Sequence, residues 1–204
     1  MHQEALAFLT HVLTPERVAH THILEIGAYN VNGSARDLCA DCARYVGVDR
    51  RDGPGVDVVD SDDSFDGAGQ FDLVISSETL EHAPDPAGLL ASAWQALKPG
   101  GLLILTAAGP DRTPHRCDGG PRPDLAGEHY AAITVAQLAG LLDDWIDVDV
   151  RYGESHGQPC GDVYATATKP TGGTFITSGP TTLVVGDTGP EIVTVRPVRR
   201  RKAA

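Results

Sequence analysis

The chain is short of positive charge, of long apolar runs and of paired cysteines. Lys and Arg number 16 against 28 Asp and Glu, a formal net charge of −12. An acidic surface repels phosphate backbones, which argues against nucleic-acid binding and leaves small molecules, basic peptides or a protein partner. No apolar run is long enough to span a membrane. His2-Gln3-Glu4 precedes an amphipathic stretch, with neither the basic region nor the apolar block of a leader. A cytoplasmic protein is therefore expected. Of the four cysteines, Cys39 and Cys42 form a C-x-x-C, while Cys117 and Cys160 stand alone. A four-thiolate zinc site is best signalled by a second close pair, so reduced structural thiols and no metal are expected.

What remains is enough for one α/β domain. The 204 residues, 41% hydrophobic, allow one full core and little more. The organising stretch is His22-Ile-Leu-Glu-Ile-Gly-Ala-Tyr-Asn-Val-Asn-Gly-Ser-Ala35. Ile23, Leu24 and Ile26 read as a buried parallel strand over 22–27. Gly27 breaks it into a polar turn, and Gly33-Ser34 opens a helix over roughly 33–42. Strand, glycine turn and helix form the first unit of a nucleotide-binding sheet, with free N–H groups at the helix start turned to a ligand. Glu25, just inside the strand end, would repel a pyrophosphate and suits a ligand with a cationic amino-acid end.

Before this unit, Ala5, Phe8, Leu9, Val12 and Leu13 keep helical spacing until Pro15. After it, Arg44–Asp49 is a second strand. Asp49 lies 22 residues beyond Gly27, the place from which an acid holds ribose hydroxyls. Val56–Val59 is a short third strand, and Asp60-Ser-Asp-Asp63 an acidic loop. Phe71–Ser77 is a fourth strand. Asp85 caps a helix with Pro86 in its first turn; Leu89, Leu90, Ala93, Trp94 and Leu97 form its buried stripe. Lys98 suits its C-terminal dipole, and Pro99-Gly-Gly101 ends it. Leu102–Thr106 is a fifth strand. A long connection, 107–133, holds His115, Cys117, His129 and Tyr130 and is read as the substrate wall. Thr134-Val-Ala-Gln137 is a capping box, and Trp145–Tyr152 with Val163–Lys169 an antiparallel pair finishing the sheet.

Phe71-Asp-Leu-Val-Ile-Ser, Leu80-Glu-His82 and Leu97-Lys-Pro-Gly-Gly-Leu-Leu-Ile-Leu105, taken with Ile23–Gly27 and Tyr45–Asp49, resemble the class I S-adenosylmethionine-dependent methyltransferases of the "type 11" kind. The resemblance covers residues 22–170. Ala28-Tyr-Asn-Val-Asn-Gly-Ser34 with Gly53-Pro-Gly-Val-Asp57 is similar to a subgroup common in actinobacteria and their phages, in which Tyr29 stands where the usual second glycine would be. The resemblance implies a Rossmann-like, doubly wound α/β fold: a seven-stranded, mostly parallel sheet with an antiparallel last strand. It implies S-adenosylmethionine as cofactor, with Glu25 and the loop Gly27, Ala28, Tyr29 and Gly33 at its methionine end and Asp49 at its ribose. Arg50, Ser76, Ser77 and Glu78 belong to the implied cofactor set. Adenine falls to one of Asp60, Ser61 and Asp62, with a solvated acidic loop as the alternative.

A general base for the acceptor is sought among His82, His129 and Tyr130, each with an architectural alternative. No Asp-Pro-Pro-Tyr or Asn-Pro-Pro-Tyr follows the fourth strand, and no proline precedes Cys117. Both absences argue against a DNA base as acceptor and leave a small molecule or a protein side chain.

After Pro170 the composition changes. A domain over 1–170 is expected, followed by a tail over 171–204 with a hairpin of Thr181–Val185 and Glu191–Val195 and a basic end. The tail carries +3, leaving −15 on the rest. Gly186-Asp-Thr-Gly-Pro-Glu191 resembles a short motif of phage tape-measure and virion proteins, which implies self-association or virion attachment through the tail. The rival reading of the whole chain is a virion-associated binding module with catalysis lost, for which Tyr29 is the favouring feature.

Overall fold

The computed structural model describes residues 2–60, 67–121, 127–155 and 158–171. Seven strands form one sheet: β1 (His22–Ile26), β2 (Arg44–Asp49), β3 (Val58–Val59), β4 (Phe71–Ser77), β5 (Leu97–Ala108), β6 (Ile146–Ser155) and β7 (Gln158–Thr168). Their order is β3-β2-β1-β4-β5-β7-β6. Strands β1 to β5 pair in parallel, and β7 runs antiparallel to both β5 and β6. The expected methyltransferase-type sheet is therefore present. The hairpin expected over 181–195 lies outside the described residues.

Alternation along the strands sends side chains to two separate cores. Leu24, Ile26, Val46, Val48, Val74, Leu103 and Leu105 face one side, where α3 (Pro86–Ala96) and α4 (Val135–Leu141) supply Leu89, Leu90, Ala93 and Leu138. Ile23, Leu73, Ile75 and Ile104 face the other, against Ala5, Phe8, Leu9 and Val12 of α1 (Gln3–Val12). Phe8 stacks flat on Tyr164 of β7, ring centroids 4.6 Å apart, which pins α1 across the sheet. The result is a three-layer α/β/α sandwich. No helix among the described residues is long and apolar enough to cross a membrane.

Four local expectations change. The helix expected over 33–42 is only a 3-10 turn, Ala35–Leu38, capped by the Ser34 side chain and ended at Cys39. Asp37, Cys39, Asp41 and Cys42 are poor helix formers, and one turn cannot propagate through them. Cys39 and Cys42 thus do not share a helical face, and all four cysteines are free thiols. Pro15 does not merely end α1; it opens α2 (Pro15–Val18), capped by Thr14. The third strand is two residues, because Val56 donates to Gly53 O in a turn and the Asp57 carboxylate accepts from the Gly47 N–H at 2.7 Å. Helix α3 stops at Ala96. Leu97 is already extended, and Lys98, disfavoured from helix by Pro99, joins β5 and pairs with Asp72 at 2.7 Å.

Two leucines on α1 test the layer assignment. Leu9 is 0% exposed and Leu6 41% exposed. Leu9→Ala should cost about 2–5 kcal/mol and Leu6→Ala under about 0.5 kcal/mol in denaturant unfolding. Equal losses would mean that α1 does not pack on the sheet.

Candidate active site

Strands β1, β2 and β4 end at the same edge, where the chain order switches direction across the sheet. A cavity of about 1080 Å³ opens there, walled on its far side by the connection that follows β5. The turn after β1 forms its floor. Gly27 has φ 82°, and a Cβ there would stand 2.0 Å from Thr79 Oγ1, so only glycine lets the ends of β1 and β4 approach.

Several backbone donors of this turn are already engaged within the protein. Gly27 and Ala28 both donate to Val48 O, at 2.9 and 3.0 Å. Tyr29 N–H donates to Asp49 Oδ2 at 3.0 Å, and Gly33 N–H to Asn30 Oδ1 at 2.8 Å. The helix start itself is only a single 3-10 turn, Ala35–Leu38.

Asp49 closes β2 and accepts from two amides, Tyr29 on Oδ2 and Arg51 on Oδ1, each at 3.0 Å. Each oxygen keeps a second lone pair for the cavity, which Asp49 lines. Tyr29 does not plug the glycine position. Its ring lies under the Arg51 guanidinium, 4.6 Å to centroid, and against Gly53, where a Cβ would come within 2.3 Å of Tyr29 Cε2. Glu25 lines the cavity but is only 3% exposed, and its Oε2 accepts from Tyr45 OH at 2.8 Å. Arg36 lies over the Tyr45 ring at 4.5 Å. Glu25 thus ties β1 to β2 and to the 3-10 turn from within the wall.

The remaining sequence candidates divide by position. Ala28, Gly33, Arg50, Asp60 and Ser77 line the cavity. Asp60 N–H donates to Asp49 O at 3.0 Å, and Ser77 Oγ is 2.9 Å from Thr106 Oγ1. Ser76 is fully buried and outside the lining. Ser61 and Asp62 lie outside the described residues. Glu78 lines the cavity in a left-handed conformation, φ 53°, with its N–H on Thr106 O.

Glu78 introduces a residue the sequence reading did not assign, His2. His2 Nε2 is 3.1 Å from Glu78 Oε2 and 3.2 Å from Asp162 Oδ2, and Arg112 donates to Asp162 Oδ1 at 3.0 Å. Burial works to lower the His2 pKa, but the hydrogen bonds and charges of Asp162 and Glu78 outweigh it and lift it to about 10. Burial likewise works to raise Glu78, and His2 with Arg112 holds it below the usual carboxylate range. Two cations therefore balance two acids. No sequence spacing joins positions 2, 78, 112 and 162; only the folding of α1 over the sheet does.

At the other end, the rings of His82, His115 and Tyr130 meet edge to face, centroids 5.1, 5.5 and 5.2 Å apart. His82, His115 and the exposed His129 line the cavity, whereas Tyr130 stands behind it. The Tyr130 hydroxyl has no hydrogen-bond partner among the described residues. Burial, then the nearby His115, lowers the His82 pKa, so its imidazole is neutral near pH 7. Glu81, 0% exposed, lies beneath these rings; its own backbone N–H and that of Ala108 approach the carboxylate, but neither oxygen has a well-formed hydrogen bond among the described residues. Burial, then the charge of Glu78, pushes it up to about 8. The signal for His115 was the length of the connection carrying it.

Glycine turn, acid at the second strand end and cavity at the switch of a 3-2-1-4-5-7-6 sheet define the fold of the class I S-adenosylmethionine-dependent methyltransferases. The chain belongs to the methyltransferase-domain family, whose model matches residues 2–145. Its fold is similar to that of the Burkholderia thailandensis 1,6-didemethyltoxoflavin-N1-methyltransferase, solved with 1,6-didemethyltoxoflavin and S-adenosylhomocysteine. The TM-score is 0.61 at 19% identity, over 81% of this chain and 78% of that one. An S-adenosylmethionine-dependent methyltransferase from Mesorhizobium loti matches with TM-score 0.58 and 19% identity, over 81% and 98% of the two chains. In sequence, 39 residues are 49% identical to the ubiquinone biosynthesis O-methyltransferase of Psychrobacter cryohalolentis. That match spans 19% of this chain and 15% of the relative.

Glu25 gives a pH test of the wall. Burial pushes its carboxyl from 4.5 up to about 7, against the Tyr45 hydrogen bond and the Arg36 charge. A folded value above the unfolded one means that the folded chain holds the extra proton in that interval. The stability so gained is complete below the unfolded value and is lost as pH rises through the folded one. Glu25→Gln should therefore gain on the parent by on the order of 2–3 kcal/mol from pH 4.5 to about 8. A constant difference across that window, in urea unfolding, would show that this carboxyl titrates normally.

Proposed function

We propose that this chain transfers a methyl group from S-adenosylmethionine to an oxygen or nitrogen of a small molecule seated against the 109–133 connection. The observation that carries the reading is a single cavity joining the ends of β1, β2 and β4 to the imidazoles of His82, His115 and His129. Its volume of about 1080 Å³ is at the top of the range for one drug-sized ligand and leaves room for a second, smaller one. The cofactor supplies an activated methyl group on a sulfonium: the sulfur–carbon bond breaks, a bond from carbon to the acceptor forms, the acceptor loses a proton and a neutral thioether remains.

The chain's own part is to bind, align and exclude water. The residues at the strand ends fit the cofactor. Asp49 keeps lone pairs for ribose hydroxyls, and Glu78 Oε1, buried without a partner among the described residues, can accept from a cationic amino group. Glu25, held by Tyr45, supports the turn from behind. At the acceptor end His82, whose imidazole is neutral near pH 7, or His129 beside it in the cavity lining can take the acceptor's proton. The rival, a non-catalytic module, loses its main support because the Tyr29 ring lies on Gly53 and under Arg51.

Asp49→Ala should weaken S-adenosylmethionine binding by roughly 1.5–3 kcal/mol, about 10- to 150-fold, with the circular-dichroism spectrum unchanged. Parental affinity in a folded Asp49→Ala protein would place the ribose elsewhere.

A further inference from the structure

We propose that Glu81, His82 and His115 form a binding site for one divalent transition-metal ion, zinc being the best match to the donor set, at the acceptor end of the cavity. One ligand atom from each residue lies within 4.8 Å of the others, and His115 Nε2 is 4.0 Å from Glu81 Oε1. Ligand pairs around a tetrahedral ion stand about 3.4 Å apart, so the three donors need to close in by no more than about 1.4 Å. Two imidazoles and a carboxylate with an open fourth position are the ligand set of catalytic zinc sites.

The donor states favour an ion. Glu81 is completely buried, and the backbone N–H groups of Glu81 and Ala108 are near its carboxylate without making a well-formed hydrogen bond to either oxygen. A buried carboxylate in that state is expensive unless something cationic meets it. His115 Nδ1 lies 3.2 Å from Thr113 O, a contact that fixes the proton on Nδ1 and leaves the Nε2 lone pair toward Glu81. His82 Nδ1 also has no partner among the described residues. The Tyr130 hydroxyl, likewise unpartnered, stands behind the same rings.

A second acidic and imidazole cluster gives the contrast. His2, Glu78 and Asp162 also bring three donors together, but there Arg112 and His2 already set positive charge against the acids. That cluster is closed by protein cations; the Glu81 cluster is not. An ion at Glu81 would turn His82 from base to ligand, leave proton removal to His129, and select acceptors with paired oxygens. What the ion does for catalysis rests on the methyl-transfer reading; whether it binds does not.

The test uses the full chain, stripped with a chelator and titrated with Co²⁺ as a spectroscopic substitute for Zn²⁺. The expected result is one equivalent of Co²⁺ with visible d–d bands of nitrogen and oxygen ligation, abolished by one equivalent of Zn²⁺. His115→Ala, on the connection and away from both cores, should weaken binding by ~100-fold or more, and Glu81→Gln likewise, while His2→Ala retains it. No d–d bands, an intense thiolate-to-cobalt band, unchanged binding in folded His115→Ala, or loss on His2→Ala instead would each overturn the proposal. No methyl transfer enters the measurement, so its failure leaves the enzymatic reading standing.

Discussion

The turn after β1 is fastened to β2. Gly27 and Ala28 both donate to one carbonyl, Val48 O, and Tyr29 donates to the Asp49 carboxylate. Everything at the functional edge depends on this. With those donors engaged, the turn holds its shape without a ligand, and Asp49 is held by two amides with its remaining lone pairs toward the cavity. Gly27 lets Thr79 close in from β4, so the three strand ends meet around one opening. The site is preorganised by the backbone of its own sheet.

The two ends of the cavity handle buried charge in opposite ways. Around Asp162, fully buried, an arginine and a protonated histidine converge, and the Tyr164 hydroxyl adds a hydrogen bond at 3.0 Å. That network holds the N-terminal helix over the strand ends through His2 and Glu78. Around Glu81 no arginine or lysine pairs with the carboxylate among the described residues, and burial, against the backbone N–H groups of Glu81 and Ala108, favours its protonated form. Unbalanced polar groups in a cavity are usual where chemistry is done, and costly elsewhere. Among the described residues, the end of the cavity at His82 and His115 gathers the Glu81 carboxylate, His82 Nδ1 and the Tyr130 hydroxyl without close hydrogen-bond partners, while at the strand ends Glu78 Oε1 and Ser76 Oγ stand unpartnered.

The sheet was legible from residues because parallel strands buried on both faces are continuous apolar runs; 73–75 and 102–105 are such runs, and 23–26 is broken only by Glu25. The acid-to-glycine spacing located Asp49 at the cavity for the same reason: it counts residues through one strand–turn–strand unit. Spacing failed where local and tertiary terms compete. The segment 35–42 has apolar residues at helical intervals, but its aspartates and cysteines cannot sustain a helix beyond one turn. His2, Arg112 and Asp162 are brought together only by tertiary packing, so no local pattern could reveal them. His115 was visible as part of an overlong connection but not as a neighbour of His82, since their contact depends on how that connection folds back.

Calorimetric titration of the full chain with S-adenosylmethionine tests the central claim, a preformed cofactor site at the strand ends, most directly. The account predicts saturable binding of one equivalent, with S-adenosylhomocysteine competing for the same site. No binding at millimolar cofactor to a folded protein would contradict it.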